Sequence, residues 1–148
     1  MEKEISSAKK RKVSERNKKM TKEWIICIII IIAVVSLNII TQNYTSESVE
    51  QLNTSLWNLK EKLELKNPNS KEIKDDMDGI MEEWRNRFNL LAFFIEHDEL
   101  EKAETELTSL KANIEVEEYN SAVPELEKAA FILEHIKNKF RLEIKNVF

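Results

Sequence analysis

Glycine, proline and cysteine are all scarce in this chain of 148 residues, and each shortage excludes a class of structure. One glycine and two prolines leave little of the turn chemistry that β-hairpins need. The single cysteine, Cys27, excludes a disulfide within the chain, so packing has to stabilise the fold. The sequence also has no glycine-rich phosphate loop and no zinc-spaced cysteine pair. We therefore expect an all-α protein that is not an enzyme, with no catalytic residues and no cofactor.

What the chain does have is one long apolar run, from Trp24 to Ile40, without a charged residue. As a helix these 17 residues would extend about 26 Å, and the uncharged stretch continues as far as Glu47. Trp24 and Tyr44 bracket the run at the two depths where amphipathic rings prefer to lie in a bilayer. The pattern predicts a transmembrane helix over residues 24–44 that is kept as a signal anchor. A cleaved secretory signal is the alternative.

Charge is distributed unevenly along the chain. Residues 1–23 carry nine basic and four acidic side chains, a net charge of +5, and the remainder carries 14 basic and 23 acidic side chains, a net charge of −9. Because basic flanks stay on the cytoplasmic side, we predict a cytoplasmic N-terminus and an extracytoplasmic domain over residues 45–148 in the cell membrane. We predict that residues 1–23 are a disordered tail on the anionic face of the lipid bilayer. The acidic outer domain argues against nucleic acid as a partner.

Apolar residues recur at helical spacing through residues 45–148, in four segments. The first continues from the transmembrane helix with no breaker between them, and its apolar stripe consists of Val49, Leu52, Leu56, Leu59 and Leu63. The second segment covers residues 71–96 with Ser70 as its N-cap, and Asp98 caps the third. Short connections predict an antiparallel four-helix bundle or a pair of stacked helical hairpins.

Two phenylalanines lie off these stripes. At 100° per residue Phe93 lies opposite Trp84, and Phe131 lies roughly opposite Leu133, so each is either extra core or a surface for a partner. The C-terminal Phe148 raises the same question, because it either packs back onto the bundle or docks elsewhere. We predict that Phe93, Phe131 and Phe148 bind a partner, which is another membrane or envelope protein or a second copy of the chain.

The two histidines, His97 and His135, fall at the same end of the third and fourth helices if those helices are antiparallel. Together with Glu99 they offer donors of the kind that bind a divalent metal ion. Helical phase does not force these groups to converge, and Glu99 and His135 also suit the charge preferences of helix ends. We therefore expect no metal site and keep a ligand- or metal-sensing bundle as an alternative function. A coiled-coil envelope scaffold is a further alternative, which the break at Asn67–Asn69 opposes.

Three stretches of the chain carry a family resemblance. They are WRNRFNLLAFFIEHDELEKAETEL at residues 84–107, AAFILEHI at residues 129–136 and NVF at residues 146–148. In these stretches the chain resembles a domain-of-unknown-function family of small single-span, extracytoplasmic helical proteins of spore-forming Gram-positive bacteria. The resemblance implies one anchor, a helical outer domain and a membrane partner, and it carries over no catalytic residue. The long basic tail before Trp24 departs from the family pattern.

Overall fold

A computed structural model describes the backbone of residues 2–145 and the side chains of residues 20–139. Between residues 2 and 145 the chain forms four α-helices and no strand. The helices are α1 (Glu2–Leu63), α2 (Ser70–Leu91), α3 (His97–Glu115) and α4 (Tyr119–Lys145). The all-α prediction is confirmed. The chain divides into two compact units, Met1–Ile40 and Thr41–Phe148, which are described separately below.

The first unit is a stretch of α1 that carries the apolar run. From Trp24 to Ile40 its large apolar side chains are exposed. Among the described residues one helix is long and apolar enough to cross a membrane, and it lies within Met20–Leu63. Very little of its most apolar stretch is buried inside the protein, so it is not a core helix of the described residues.

The basic segment before the apolar run is helical, since α1 begins at Glu2. The sequence predicted a disordered tail over residues 1–23, and the structure differs for two physical reasons. Lysine, arginine and glutamate have high helix propensity, and no glycine or proline occurs before Pro68. Extending an existing helix also adds one hydrogen bond per residue without a new nucleation step, so the segment needs no buried face to be helical.

The second unit is an antiparallel four-helix bundle, in which α1 from Thr41 onward lies between α2 and α4. Ion pairs define the direction of α4, because Lys60 on α1 pairs with Glu127 at 2.6 Å and Glu50 pairs with Lys137 at 3.0 Å. As residue numbers rise along α1 they fall along α4, so these helices are antiparallel. The bundle form of the fold prediction is confirmed.

The same reasoning orients α2 against α1. Lys62 near the end of α1 pairs with Asp76 at 2.6 Å, and Arg87 near the end of α2 donates a hydrogen bond of 3.0 Å to Ser48. The helix α3 completes the bundle and lies beside α2 and α4. Short connections, at residues 64–69, 92–96 and 116–118, join consecutive helices.

One continuous apolar core receives side chains from all four helices. The predicted first stripe is buried, with Leu52, Leu56 and Leu59 fully inaccessible to solvent. The closest approach of two backbones is between α3 and α4, because alanine forms much of their contact. The buried alanines are Ala103, Ala122, Ala129 and Ala130. Trp84 is fully buried, and its ring meets Phe88 edge to face at a centroid distance of 5.6 Å.

The predicted helix caps are wrong at two positions. Asn69 caps α2, because its Oδ1 accepts a hydrogen bond of 3.4 Å from the Glu72 backbone N–H, whereas Ser70 is already helical. Glu96 is the N-cap of α3 and makes no side-chain capping bond. Asp98 lies inside the first turn of α3, where its charge interacts favourably with the positive end of the helix dipole.

The end of α2 also differs from the prediction of a helix over residues 71–96. The helix ends at Leu91, and the chain then tightens, with the Phe93 backbone N–H donating to the Leu90 carbonyl at 3.2 Å. This turn brings Ile95 into the core, where it is buried as its place in the apolar stripe predicted. The same turn directs Phe93 outward.

Candidate interaction surface

The predicted partner-binding residues Phe93 and Phe131 are both on the outside of the bundle. Phe93 is 81% exposed and Phe131 is 72% exposed, so the alternative that they are extra core is wrong. They do not form one surface, because Phe93 lies in the turn after α2 and Phe131 lies near the middle of α4. Phe148 lies outside the described residues.

A second exposed aromatic residue lies on α1, the helix that is paired with α4. Trp57 on α1 is 47% exposed, and the Lys60 Nζ lies 5.2 Å from the centroid of its ring. The same Nζ pairs with Glu127 on α4 at 2.6 Å, and Phe131 follows Glu127 by one helical turn. Residues one turn apart share a helix face, so Trp57 and Phe131 flank the ion pair on one outer face of the bundle. We call these four residues the aromatic surface.

The lysine of the ion pair at the centre of the aromatic surface is stabilised as the ammonium. The hydrogen bond to the Glu127 carboxylate raises the pKa of Lys60, and Glu64, 3.7 Å away, raises it further. The ammonium is therefore charged at neutral pH and is attracted to the electron-rich face of the Trp57 ring. This arrangement fixes the indole against α1 and leaves its outer side open to solvent.

Charged residues border the aromatic surface toward the C-terminal end of α4. Lys137 pairs with Glu50 across the two helices and with Glu134 at 3.6 Å, and the bond from Lys137 lowers the pKa of Glu50. His135 is exposed one turn after Phe131. Exposed rings surrounded by charged groups are the composition that protein interfaces show, with an apolar centre and a polar rim.

The candidate metal ligands are distributed differently. His97 is exposed, and its Nε2 lies 3.3 Å from a Glu101 carboxylate oxygen on the same helix. Glu99 instead pairs with Lys139 of α4 at 2.8 Å, and the hydrogen bond that the lysine donates to this carboxylate raises the pKa of Lys139. His135 is exposed on α4. In the part of the chain that the structure describes, no group of three His, Cys, Asp or Glu side chains could hold a metal ion.

The groove between α1 and α2 contains a cleft of about 490 Å³. Its lining is mostly charged and amide side chains, whereas pockets for small ligands are lined mainly by apolar ones. The lining residues are Tyr44, Gly79, Glu82, Glu83, Asn86 and Arg87. The cleft therefore lacks the apolar enclosure by which a small organic ligand would be held.

Comparison with known proteins identifies the family of the bundle. Residues 39–147 match the family described as Domain of unknown function (DUF4363). The chain belongs to this family. The DUF4363 match confirms the predicted resemblance to an uncharacterised-domain family. No curated protein and no solved structure matches the chain.

The DUF4363 match covers the complete bundle and only the last residues of the apolar run. All four residues of the aromatic surface and both histidines lie inside it, whereas the basic segment lies outside. The family is therefore defined by the helical unit. Any role of residues 1–23 has to be argued from this chain alone.

Sequence reasoning did not single out Trp57. In the DUF4363 bundle it lies next to Leu56 on α1, at the edge of the buried stripe, where a large apolar side chain is expected to be at least partly covered. Trp57 could have been identified only from the pairing of α1 with α4, which places position 57 level with position 131. That pairing is a property of the bundle topology, and periodicity within one helix does not contain it.

Proposed function

We propose that this protein is a membrane-anchored, extracytoplasmic helical module without enzymatic activity, which binds another membrane or envelope protein through the aromatic surface. The observation that carries the proposal is the pair of exposed rings, Trp57 and Phe131, on neighbouring helices on either side of one ion pair.

Single exposed apolar residues are common on protein surfaces and need no explanation. Two exposed aromatic rings at the same level on adjacent helices belong to one patch, and such a patch does need an explanation. The pairs Lys60–Glu127 and Glu50–Lys137 set a register that brings position 57 level with positions 130 and 131. Tryptophan and other aromatic residues dominate the binding energy of protein interfaces when they cluster near the centre of a patch.

The net negative charge of the chain favours a partner other than a second copy of the same chain. The chain after residue 23 has a net charge of −9, so two copies would repel each other at long range. A partner with a neutral or basic outer surface would be attracted instead. Tethering to one membrane also raises the effective concentration of partners in that membrane over soluble ones.

The proposed anchoring and orientation rest on the uncharged run that begins at Trp24 and on the basic segment before it. We expect the protein in the membrane fraction of its cells, resistant to extraction by high salt. Protease added outside intact cells with a permeable wall should remove the bundle. Protection of the bundle until the cells are lysed would place it on the cytoplasmic side and contradict the proposed orientation.

The partner can be tested by photocrosslinking in native membranes. A photoreactive amino acid at position 131 should give a discrete adduct with one membrane or envelope protein. The matched control is position 108, where Thr108 is exposed on α3, away from the aromatic surface. We expect no such adduct from position 108.

A second substitution makes this test specific. Trp57→Ala, on the other helix, should reduce the yield of the position 131 adduct by roughly tenfold or more, the effect of losing an interfacial anchor. Adducts of similar yield from positions 131 and 108, or adducts only between copies of this chain, would contradict the proposal. An adduct at position 131 that is unchanged by Trp57→Ala would exclude the aromatic surface as the binding element.

A further inference from the structure

We infer that the turn between α2 and α3 is a second membrane contact, in which Phe93 inserts into the interfacial layer of the lipid bilayer. The inference rests on the proposed membrane anchoring, and it is independent of the proposed protein partner.

The turn presents an apolar tip to the outside of the bundle. Phe93 is the most exposed large apolar side chain among the described residues, and Leu90, one turn earlier, is also exposed. The half-buried Phe94 lies next to it, with its ring centroid 6.4 Å from that of Phe93. Ile95 is buried and fixes the turn to the core, so the position of Phe93 is set by packing.

The register of α1 and α2 determines the level of this turn along the bundle. Lys62 pairs with Asp76, and further along Ser48 accepts a hydrogen bond from Arg87. Continuing the same antiparallel register brings residues 92–96 level with residues 41–46. The Phe93 turn therefore lies at the end of the bundle that contains residues 41–46.

Residues 41–46 are themselves part of the uncharged stretch, because the first charge after the run is Glu47. From Trp24 to this charge the helix extends roughly 34 Å, which exceeds the hydrocarbon core of about 30 Å but not the bilayer of about 40–45 Å with its headgroups. In an anchored protein residues 41–46 consequently fall in the interfacial layer. An apolar ring level with them meets lipid instead of bulk water.

The surrounding charges indicate which lipids the turn would meet. Glu96 and Asp98 are exposed beside Phe93, and they would be repelled by anionic headgroups. Burial of the phenylalanine ring at the boundary between headgroups and acyl chains is then the attractive contribution. A bilayer surface of zwitterionic lipid fits this combination best.

Fluorescence quenching in vesicles can test the inference on the full chain. Three proteins, each with one cysteine, would carry the same small fluorophore. They are the natural chain labelled at Cys27, Cys27→Ser with Phe93→Cys, and Cys27→Ser with Val116→Cys. Val116 is the matched control, because it is also exposed and apolar but lies in the turn between α3 and α4 at the opposite end of the bundle. Both replaced side chains are exposed, so the helical content should not change.

The vesicles would consist of phosphatidylethanolamine and phosphatidylcholine, with a nitroxide on the lipid or iodide in the water as the quencher. We expect lipid nitroxide to quench the labels at positions 27 and 93, and iodide to quench the label at position 116. Quenching of position 27 by lipid while position 93 behaves like position 116 would overturn the inference and leave the anchoring intact. If lipid fails to quench position 27, the anchoring and the inference are both wrong.

Discussion

The Lys60 ammonium lies 2.6 Å from the Glu127 carboxylate, and this ion pair joins the helix that carries Trp57 to the helix that carries Phe131. Both rings are exposed, while the core leucines of the same helices are buried. Stability and the proposed binding therefore depend on different faces of α1 and α4. Substitutions can separate the two properties.

The first prediction compares two neighbouring positions on α4. Phe131→Ala should change the free energy of unfolding by no more than about 0.5 kcal/mol, because the ring is exposed. Leu133→Ala should cost about 2–5 kcal/mol, because that side chain is buried in the core. Thermal unfolding followed by circular dichroism would measure both. A large loss from Phe131→Ala would show that the ring packs against the bundle and would remove it from the aromatic surface.

Gly79 gives the second prediction, since it lies inside α2 with a helical backbone and is exposed. A Cβ added there would meet no atom within 4 Å. Gly79→Ala should stabilise the bundle by about 0.5–1 kcal/mol, because alanine loses less backbone entropy on folding. The thermal midpoint of the variant is the measurement. A lower midpoint would indicate that some other group approaches α2 closely at this position.

The third prediction tests the cap of α2. Asn69→Ala should cost about 0.5–1 kcal/mol, because the Glu72 backbone N–H loses its acceptor. Ser70→Ala should cost less, because Ser70 donates only to the exposed Glu117 carboxylate, at 2.6 Å. Denaturant midpoints of the two variants would rank them. The reverse order would support Ser70 as the capping residue, as the sequence had suggested.

A pair of carboxyl groups between α3 and α4 gives a prediction about pH. The hydrogen bond with Glu125 and partial burial raise the pKa of Glu106. Lys128 lies 2.8 Å from Glu125 but 3.9 Å from Glu106, and it lowers the pKa of Glu125. The folded chain thus holds the Glu106 proton more tightly than the unfolded chain does. Ionised Glu106 destabilises the fold at neutral pH, and this cost disappears as the pH falls through the raised pKa.

Glu106→Gln should consequently raise the thermal midpoint at neutral pH. Solvent screening keeps the increase in the free energy of unfolding small, about 0.5 kcal/mol. The increase should be smaller still in acid, because Glu106 is then already protonated in the folded chain. Glu125→Gln is the matched control, because it removes the same charge but also the nearest partner of Lys128. It should not stabilise the bundle. An equal gain from both variants at every pH would contradict the assignment of the proton to Glu106.

Periodicity predicted the core well, because burial in a helical bundle repeats with the helix itself. Leu52, Leu56 and Leu59 recur every three or four residues, and all three are buried. The ends of the helices were harder to predict. Asn69 and Ser70 are both good caps by residue type, and only the backbone geometry decides between them. The tight turn after Leu91 depends on Ile95 reaching the core, which is a contact distant in sequence.

The aromatic surface was only partly predictable for a related reason. Phe131 could be assigned to an off-stripe face from α4 alone. Its neighbour Trp57 belongs to a helix more than sixty residues earlier, and only the antiparallel pairing of α1 with α4 brings the two to one level. Side-chain exposure, which distinguishes an extra core residue from a surface residue, follows from all four helices together.

The pairing of the first helix with the last also determines when the protein can finish folding. The alanine-lined hairpin of α3 and α4 is local in sequence, and local contacts form quickly. The buried face of α1 is synthesised first, yet one of its neighbours is α4, which is synthesised last. The face of α1 that packs against α4 therefore stays exposed until α4 has been synthesised, which makes the newly made chain most prone to aggregation just before α4 is added.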